Sequence, residues 1–212
     1  MAGTFGSTDS IVFGSSWPGS AVSMSFWMKT TQTTANVEVM SQHSSSSSVD
    51  GFGMVLNNTA NKLLFAVKGS PYVLQLLSTS NVNDGAWRHF YADFGYSNGD
   101  AGRLCVNGIQ EASGTNSNSV NANTHIPARL GKSNDTFWGG FVGSLAEVAF
   151  WQVKLTDAEI AALAAGYRPI RVRPRNLQCY APLIRETYEL TNYGGSPVAT
   201  GTSVSDHPRV IA

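Results

Sequence analysis

A succession of short apolar runs, each closed by turn residues, limits what this chain can fold into. The runs are Ser10–Gly14, Ala21–Thr30, Asn36–Gln42, Gly51–Leu56, Lys62–Lys68, Tyr72–Ser78, Ala86–Phe94, Gly102–Val106, Ile109–Ser113, Ala128–Lys132, Phe141–Gln152 and Gln178–Ile184. Between them stand Asn57-Asn58, Asn83-Asp84-Gly85, Ser97-Asn98-Gly99-Asp100 and Asn107-Gly108. Runs of this length with such boundaries read as strands. Asn107-Gly108 places two residues that tolerate positive φ between Leu-Cys-Val and Ile-Gln-Glu, which predicts a two-residue hairpin turn. Many short strands with regular turns make an antiparallel sandwich or barrel, and 212 residues suffice for one all-β domain.

One segment changes character. In Gly143–Trp151, Leu145, Ala149 and Trp151 alternate with Ala146, Val148 and Phe150, so the strand is apolar on both faces and needs cover on both. A helix follows at 156–165. Thr156 and Glu159 have the spacing of a capping box, Ile160, Leu163 and Ala164 share one face, and Gly166 can stop the helix. A helix this short is stable only when packed. It is therefore expected to cover the outer face of the preceding strand. Glu147, on the face of Leu145 and Trp151, is expected to pair with an arginine.

Composition excludes several classes. Net charge is +0 and charged residues are 13%, against a typical ~25%, so no global charge attracts nucleic acid or an anionic membrane. No apolar run approaches the ~20 residues of a bilayer span. Met1-Ala-Gly-Thr-Phe-Gly has no basic segment and no apolar core, so the chain is expected not to use the secretory route. Cys105 and Cys179 are expected to be two unpaired thiols in a β-core. Neither a phosphate-binding Gly-rich loop nor a 20–50-residue repeat is present. The serine run Ser44–Ser48 reads as a surface loop.

Candidate chemistry is sparse. A glycosidase needs two carboxylates about 5–9.5 Å apart. Glu38 and Glu147 stand alone in apolar strands, and Asp157-Ala-Glu159 belongs to the helix cap, so no enzyme is expected. Trp87, His89 and Tyr91 share a strand face with Asp93. They either cover a sheet face against loops or a partner, or form a stacking and hydrogen-bonding site for a glycan. Asn134 and Asp135, beside Trp138, are the loop candidates for calcium. No other cofactor is indicated. Arg168, Arg171, Arg173 and Arg175, interrupted by Pro169 and Pro174, form an extended basic strap without interleaved aromatics. Arg171, Arg173 and Arg175, with the apolar terminus Val210-Ile211, are the candidate assembly residues. The Gly/Ser/Thr-rich Gly194–Ser205 is not expected to order itself.

Four segments, in order, resemble one family. Met24-Ser-Phe-Trp-Met-Lys-Thr, Asp84-Gly-Ala-Trp-Arg-His-Phe-Tyr-Ala and Arg103-Leu-Cys-Val-Asn-Gly precede Gly143-Ser-Leu-Ala-Glu-Val-Ala-Phe-Trp with Leu155-Thr-Asp-Ala-Glu-Ile. They are similar to the strands and closing segment of laminin-G-like, concanavalin A-like lectin and glucanase domains. That resemblance implies an all-β, antiparallel two-sheet jelly-roll sandwich over residues 1–166, with one short helix near 156–165. It implies calcium in some relatives, although an acidic position of the family strand is Ala146 here. The glucanase Glu-x-Asp-x-Glu pattern is missing. Residues 167–212, with Tyr167-Arg-Pro-Ile-Arg-Val-Arg-Pro-Arg and Asp206-His-Pro-Arg-Val-Ile, resemble the tails of such proteins from tailed bacteriophages and prophages. The tail is expected to pack on this domain or on neighbouring subunits. This resemblance implies a capsid decoration protein on the virion surface, assembled in the host cytoplasm. It would bind the major capsid protein or other virion proteins as a homo-oligomer, with a trimer as the guess, and would bind neither nucleic acid nor membrane. The alternative is a carbohydrate-binding adhesin on a tail fibre or a cell surface.

Overall fold

The computed structural model describes residues 2–13, 21–43, 51–57, 61–68, 72–120, 128–133, 138–183 and 198–208. In chain order the strands are β1 (Ala2–Phe5), β2 (Ser10–Val12), β3 (Ala21–Lys29), β4 (Val37–Gln42), β5 (Gly51–Asn57), β6 (Lys62–Lys68), β7 (Leu74–Leu77) and β8 (Arg88–Gly95). They continue with β9 (Ala101–Val106), β10 (Ile109–Thr115), β11 (Arg129–Leu130), β12 (Gly139–Gly140) and β13 (Gly143–Trp151). Helix α1 (Asp157–Ala164) and a 3-10 turn at Pro169–Arg171 precede β14 (Leu177–Ala181), β15 (Val198–Thr200) and β16 (Ser203–Ser205).

The strands form two sheets. The first runs β10-β9-β8-β3-β13-β1-β16, with β14 beside β1 on the same edge of β13. The second runs β15-β2-β11-β4-β5-β6-β7, with β12 parallel to β4 and the other pairs antiparallel. This is the expected all-β, two-sheet jelly-roll sandwich with one short helix. Alternate residues from the facing sheets fill the core: Met24, Phe26 and Met28 from β3, Phe90, Ala92 and Phe94 from β8, and Phe52, Met54 and Leu56 from β5. The Asn107-Gly108 turn forms as the sequence predicts, with φ of 51° and 81°.

The apolar strand β13 needs a correction. Its pairing with β3 shifts between Ala146 and Ala149, and Glu147 has φ of 52°. This bulge inserts one residue and inverts the alternation. Leu145, Val148 and Phe150 therefore all face the core, while Ala149 and Trp151 face outward. Strict alternation put Leu145 on the wrong side.

The outer side of the first sheet carries a second cluster: Tyr91, Cys105, Ala149, Trp151, Leu155, Ile160, Leu163, Val172, Leu177 and Tyr180. Helix α1 thus covers the face that the sequence left open. Thr156 Oγ1 accepts from Glu159 N–H, and Glu159 Oε2 accepts from Thr156 N–H at 2.7 Å. Gly166, with φ of 95°, ends the helix while Gly166 N–H and Tyr167 N–H bond to Leu163 O and Ala162 O. Arg103 ties the helix start to the sheet through Asp93 at 2.6 Å, Asp157 at 2.7 Å and Leu155 O. The two cysteines are not joined to each other and lie on opposite sides of the first sheet, Cys105 outside and Cys179 in the core.

The tail is built into the sandwich. β15 adds to β2 at one edge of the second sheet, and β16 adds to β1 at the edge of the first. Their connection turns at Gly201, whose φ is 77°. Gly194–Ser205 was expected to stay without order. Its strands instead gain order from ladder bonds to existing edges, which small polar residues make as well as large ones.

Candidate functional site

The helix and the strap after it occupy much of the first sheet's outer face, which directs attention to the second sheet. On β4 the pairing with β5 shifts between Glu38 and Met40. Val37, Val39 and Met40 join the core, and Glu38 turns to the outer face. Glu38 and His43 are both 0% exposed, and His43 Nε2 lies 2.7 Å from Glu38 Oε1. Lys68, from the end of β6, places Nζ 3.3 Å from His43 Nδ1 and 3.0 Å from Nε2.

A carboxylate can only accept and an ammonium can only donate. Nε2, the nitrogen beside Glu38, therefore carries the proton donated to the carboxylate, and Lys68 Nζ lies within 3.3 Å of both ring nitrogens. The imidazole lies between the Glu38 carboxylate and the Lys68 ammonium, so each buried group has a polar partner. Lys68 Nζ also sits 5.3 Å from the ring centroid of half-buried Trp138, a cation–π contact.

Two glycines make room for this cluster. A Cβ on Gly53 would stand 2.5 Å from Glu38 Oε1, and one on Gly51 would stand 1.9 Å from Gln42 O. Ser41 pairs with Gly53 on one side and with Arg129 on the other, so all three lie in one row across the face. Three buried polar atoms here have no hydrogen-bond partner: Glu38 Oε2, Ser41 Oγ and Arg129 Nε. One accepts, one donates and one does both. All three are buried, and the fold leaves them unsatisfied.

The sequence noticed Glu38 only as an isolated carboxylate, and Trp138 only as a neighbour of the calcium candidates. It missed His43, Lys68, Ser41 and Arg129. The available signal was Gly51-Phe-Gly53 inside a strand, since glycine there marks a close approach.

The other expected site residues are dispersed. Tyr91 is buried beneath the helix, where its hydroxyl donates to Asp93 at 2.8 Å and accepts from Leu155 N–H at 2.9 Å. Burial and the Asp93 charge raise its pKa. Tyr91 therefore offers no face for stacking, which corrects its assignment to a glycan site. His89 is also buried, bonded to Ser25 Oγ at 2.8 Å, while Trp87 is half-buried. Glu147 does not pair with an arginine as expected. It accepts from the Tyr180 hydroxyl, and His207 Nε2 lies 3.1 Å from its Oε1. Arg173 binds Glu159 at 2.6 Å and so fastens the strap to the helix, whereas Arg171 and Arg175 are exposed. Asn134, Asp135, Val210, Ile211 and Ser44–Ser48 lie outside the described residues. Among the described residues no cluster of three His, Cys, Asp or Glu could hold a metal ion.

The family model of the concanavalin A-like lectin/glucanases superfamily matches residues 5–161. The chain belongs to this superfamily. Among solved structures, this concanavalin A-like chain is similar to domain 4 of AbnA, an extracellular arabinanase from Geobacillus stearothermophilus, in complex with arabinotriose. There the TM-score is 0.65 at 19% identity, covering 77% of this chain and 76% of that one. A putative carbohydrate binding protein from Bacteroides ovatus gives 0.70 at 17% identity, covering 100% of this chain and 61% of that one. The Ruminococcus gnavus sialidase CBM40 bound to α2,3-sialyllactose gives 0.56 at 16% identity, covering 68% and 83%. At these identities the likeness is one of fold. No curated protein sequence matches the chain.

Proposed function

We propose that this protein is a non-catalytic carbohydrate-binding module that holds a glycan on the outer face of its second sheet. The observation that carries the reading is the row of unpaired polar atoms, Glu38 Oε2, Ser41 Oγ and Arg129 Nε, on the face that presents Trp138. A sugar combines an apolar ring face with a rim of hydroxyls, and this site offers an indole together with donors and acceptors. The fold likeness to domains seen with arabinotriose and α2,3-sialyllactose supports the same reading.

Glu38 is the one carboxylate in β4–β7 and β11, and His43 already holds one of its oxygens. An acid and base flanking a glycosidic bond are therefore not assembled from these strands. Display on a phage particle, a capsid partner and a trimeric state gain no support from the likenesses; the carbohydrate alternative does.

The test is an array of neutral and acidic glycans probed with the full chain and with Trp138→Ala. The reading expects a defined set of bound glycans that the variant loses. An array with no bound glycan, or one unchanged by the substitution, overturns it.

A further inference from the structure

The first sheet's outer face is not covered throughout. Trp27 on β3 and His89 on β8 are paired residues, with ring centroids 5.4 Å apart and an edge-on angle of 62°. Trp87, one residue before β8, falls on the face of His89 by alternation. Trp27 and Trp87 are half-buried, and His89 between them is wholly buried. Two polar atoms in this group are buried without a partner, Trp87 Nε1 and His89 Nδ1. His89 uses its other nitrogen on Ser25 Oγ.

A neutral imidazole whose Nε2–H donates to Ser25 leaves Nδ1 as an acceptor. Trp87 Nε1–H is a donor only. One hydroxyl can accept from the first and donate to the second. Residues two apart on a strand are about 7 Å apart at Cα and project to the same face, so the two side chains lie on one side of the sheet. Two partly exposed indoles stand beside that point.

We propose that Trp27, Trp87 and His89 form a second saccharide site, on the opposite side of the molecule from Trp138. In it one ligand hydroxyl bridges Trp87 Nε1–H and His89 Nδ1 while the ring packs against indole. The ligand class rests on the carbohydrate reading; the site rests on its own geometry. Burial keeps His89 neutral, with its pKa near 3, so one of its ring nitrogens is an acceptor at ordinary pH. A module with sites on both sheets would bridge two glycan chains, or two segments of one, and gain avidity.

The experiment follows the tryptophan indole N–H signals of the full chain by NMR. Arabinotriose, maltotriose and α2,3-sialyllactose are the probes, each titrated to the millimolar range. Trp87→Phe assigns the Trp87 signal and removes its donor while keeping an aromatic ring. The proposal expects the Trp87 signal to shift with at least one probe, and to shift equally in Trp138→Ala. It also expects Trp87→Phe to weaken that second binding event about three- to tenfold. A Trp87 signal that stays fixed while Trp138 responds means a bridging water only; it overturns the second site and leaves the first standing. If no indole signal moves with any probe, both fail.

Discussion

His89 also sets how the protein responds to acid. Burial lowers its pKa from 6.5 to about 3. Between those values the unfolded chain binds a proton that the native state refuses, so stability is full above about pH 6.5 and falls as pH drops. The slope is at most about 1.4 kcal/mol per pH unit. Glu111 and Glu159 are held low as well, because hydrogen bonds from Ser80 and Arg173 outweigh the upward push of burial. Their losses come at lower pH, so urea melts between about pH 6.5 and 5 should report His89, and His89→Asn should flatten the profile. An equal slope in both proteins would contradict this. Gly53→Ala is expected to cost about 1–3 kcal/mol in the same melts, because its Cβ meets the Glu38 carboxylate. In an ordinary strand position alanine would be neutral or better. The sequence displayed Glu38 and Gly53 but not their meeting. His43 and Lys68 reach Glu38 only through the register of β4 with β5 and of β5 with β6, and single-residue patterns carry no register.

At the scale of elements, locally specified features were legible and tertiary ones were not. The capping box, the helix stop and the Asn107-Gly108 turn each depend on a few adjacent residues, and each forms as read. Thr156→Ala should therefore cost about 1 kcal/mol. Leu163→Ala should cost about 2–5 kcal/mol, because Leu163 packs into the cluster with Tyr91 and Trp151. Thermal melts decide both, and a Leu163 variant as stable as the parent would show that the helix does not seal that face. The bulge at Glu147 was invisible, since its cause is not local. The carboxylate reaches Tyr180 on β14 and His207 beyond β16, and the positive φ at Glu147 accompanies that placement. Strands β15 and β16 were missed for a related reason: composition describes what a segment can bury, not which open edge awaits it.

The molecule as a whole is a sandwich whose first sheet is capped by a helix and whose two sheets are each extended at one edge by its own tail. Deleting residues 198–212 should uncover the edges of β1 and β2, lower the melting temperature and promote association through those edges. An unchanged melting temperature and a monodisperse product would show the tail to be dispensable. Fold class was readable because strand periodicity is repeated many times along the chain, whereas the polar row on the second sheet is assembled once, from β4 and the distant β11. Binding of a glycan at that row is the central claim, and titration calorimetry tests it most directly. The tightest glycan from the array is titrated into the wild type and into Trp138→Ala, with melting temperatures measured alongside. The account predicts at least about tenfold weaker binding by the variant while its cooperative melt shows that it is still folded; equal affinity in the two proteins would contradict it.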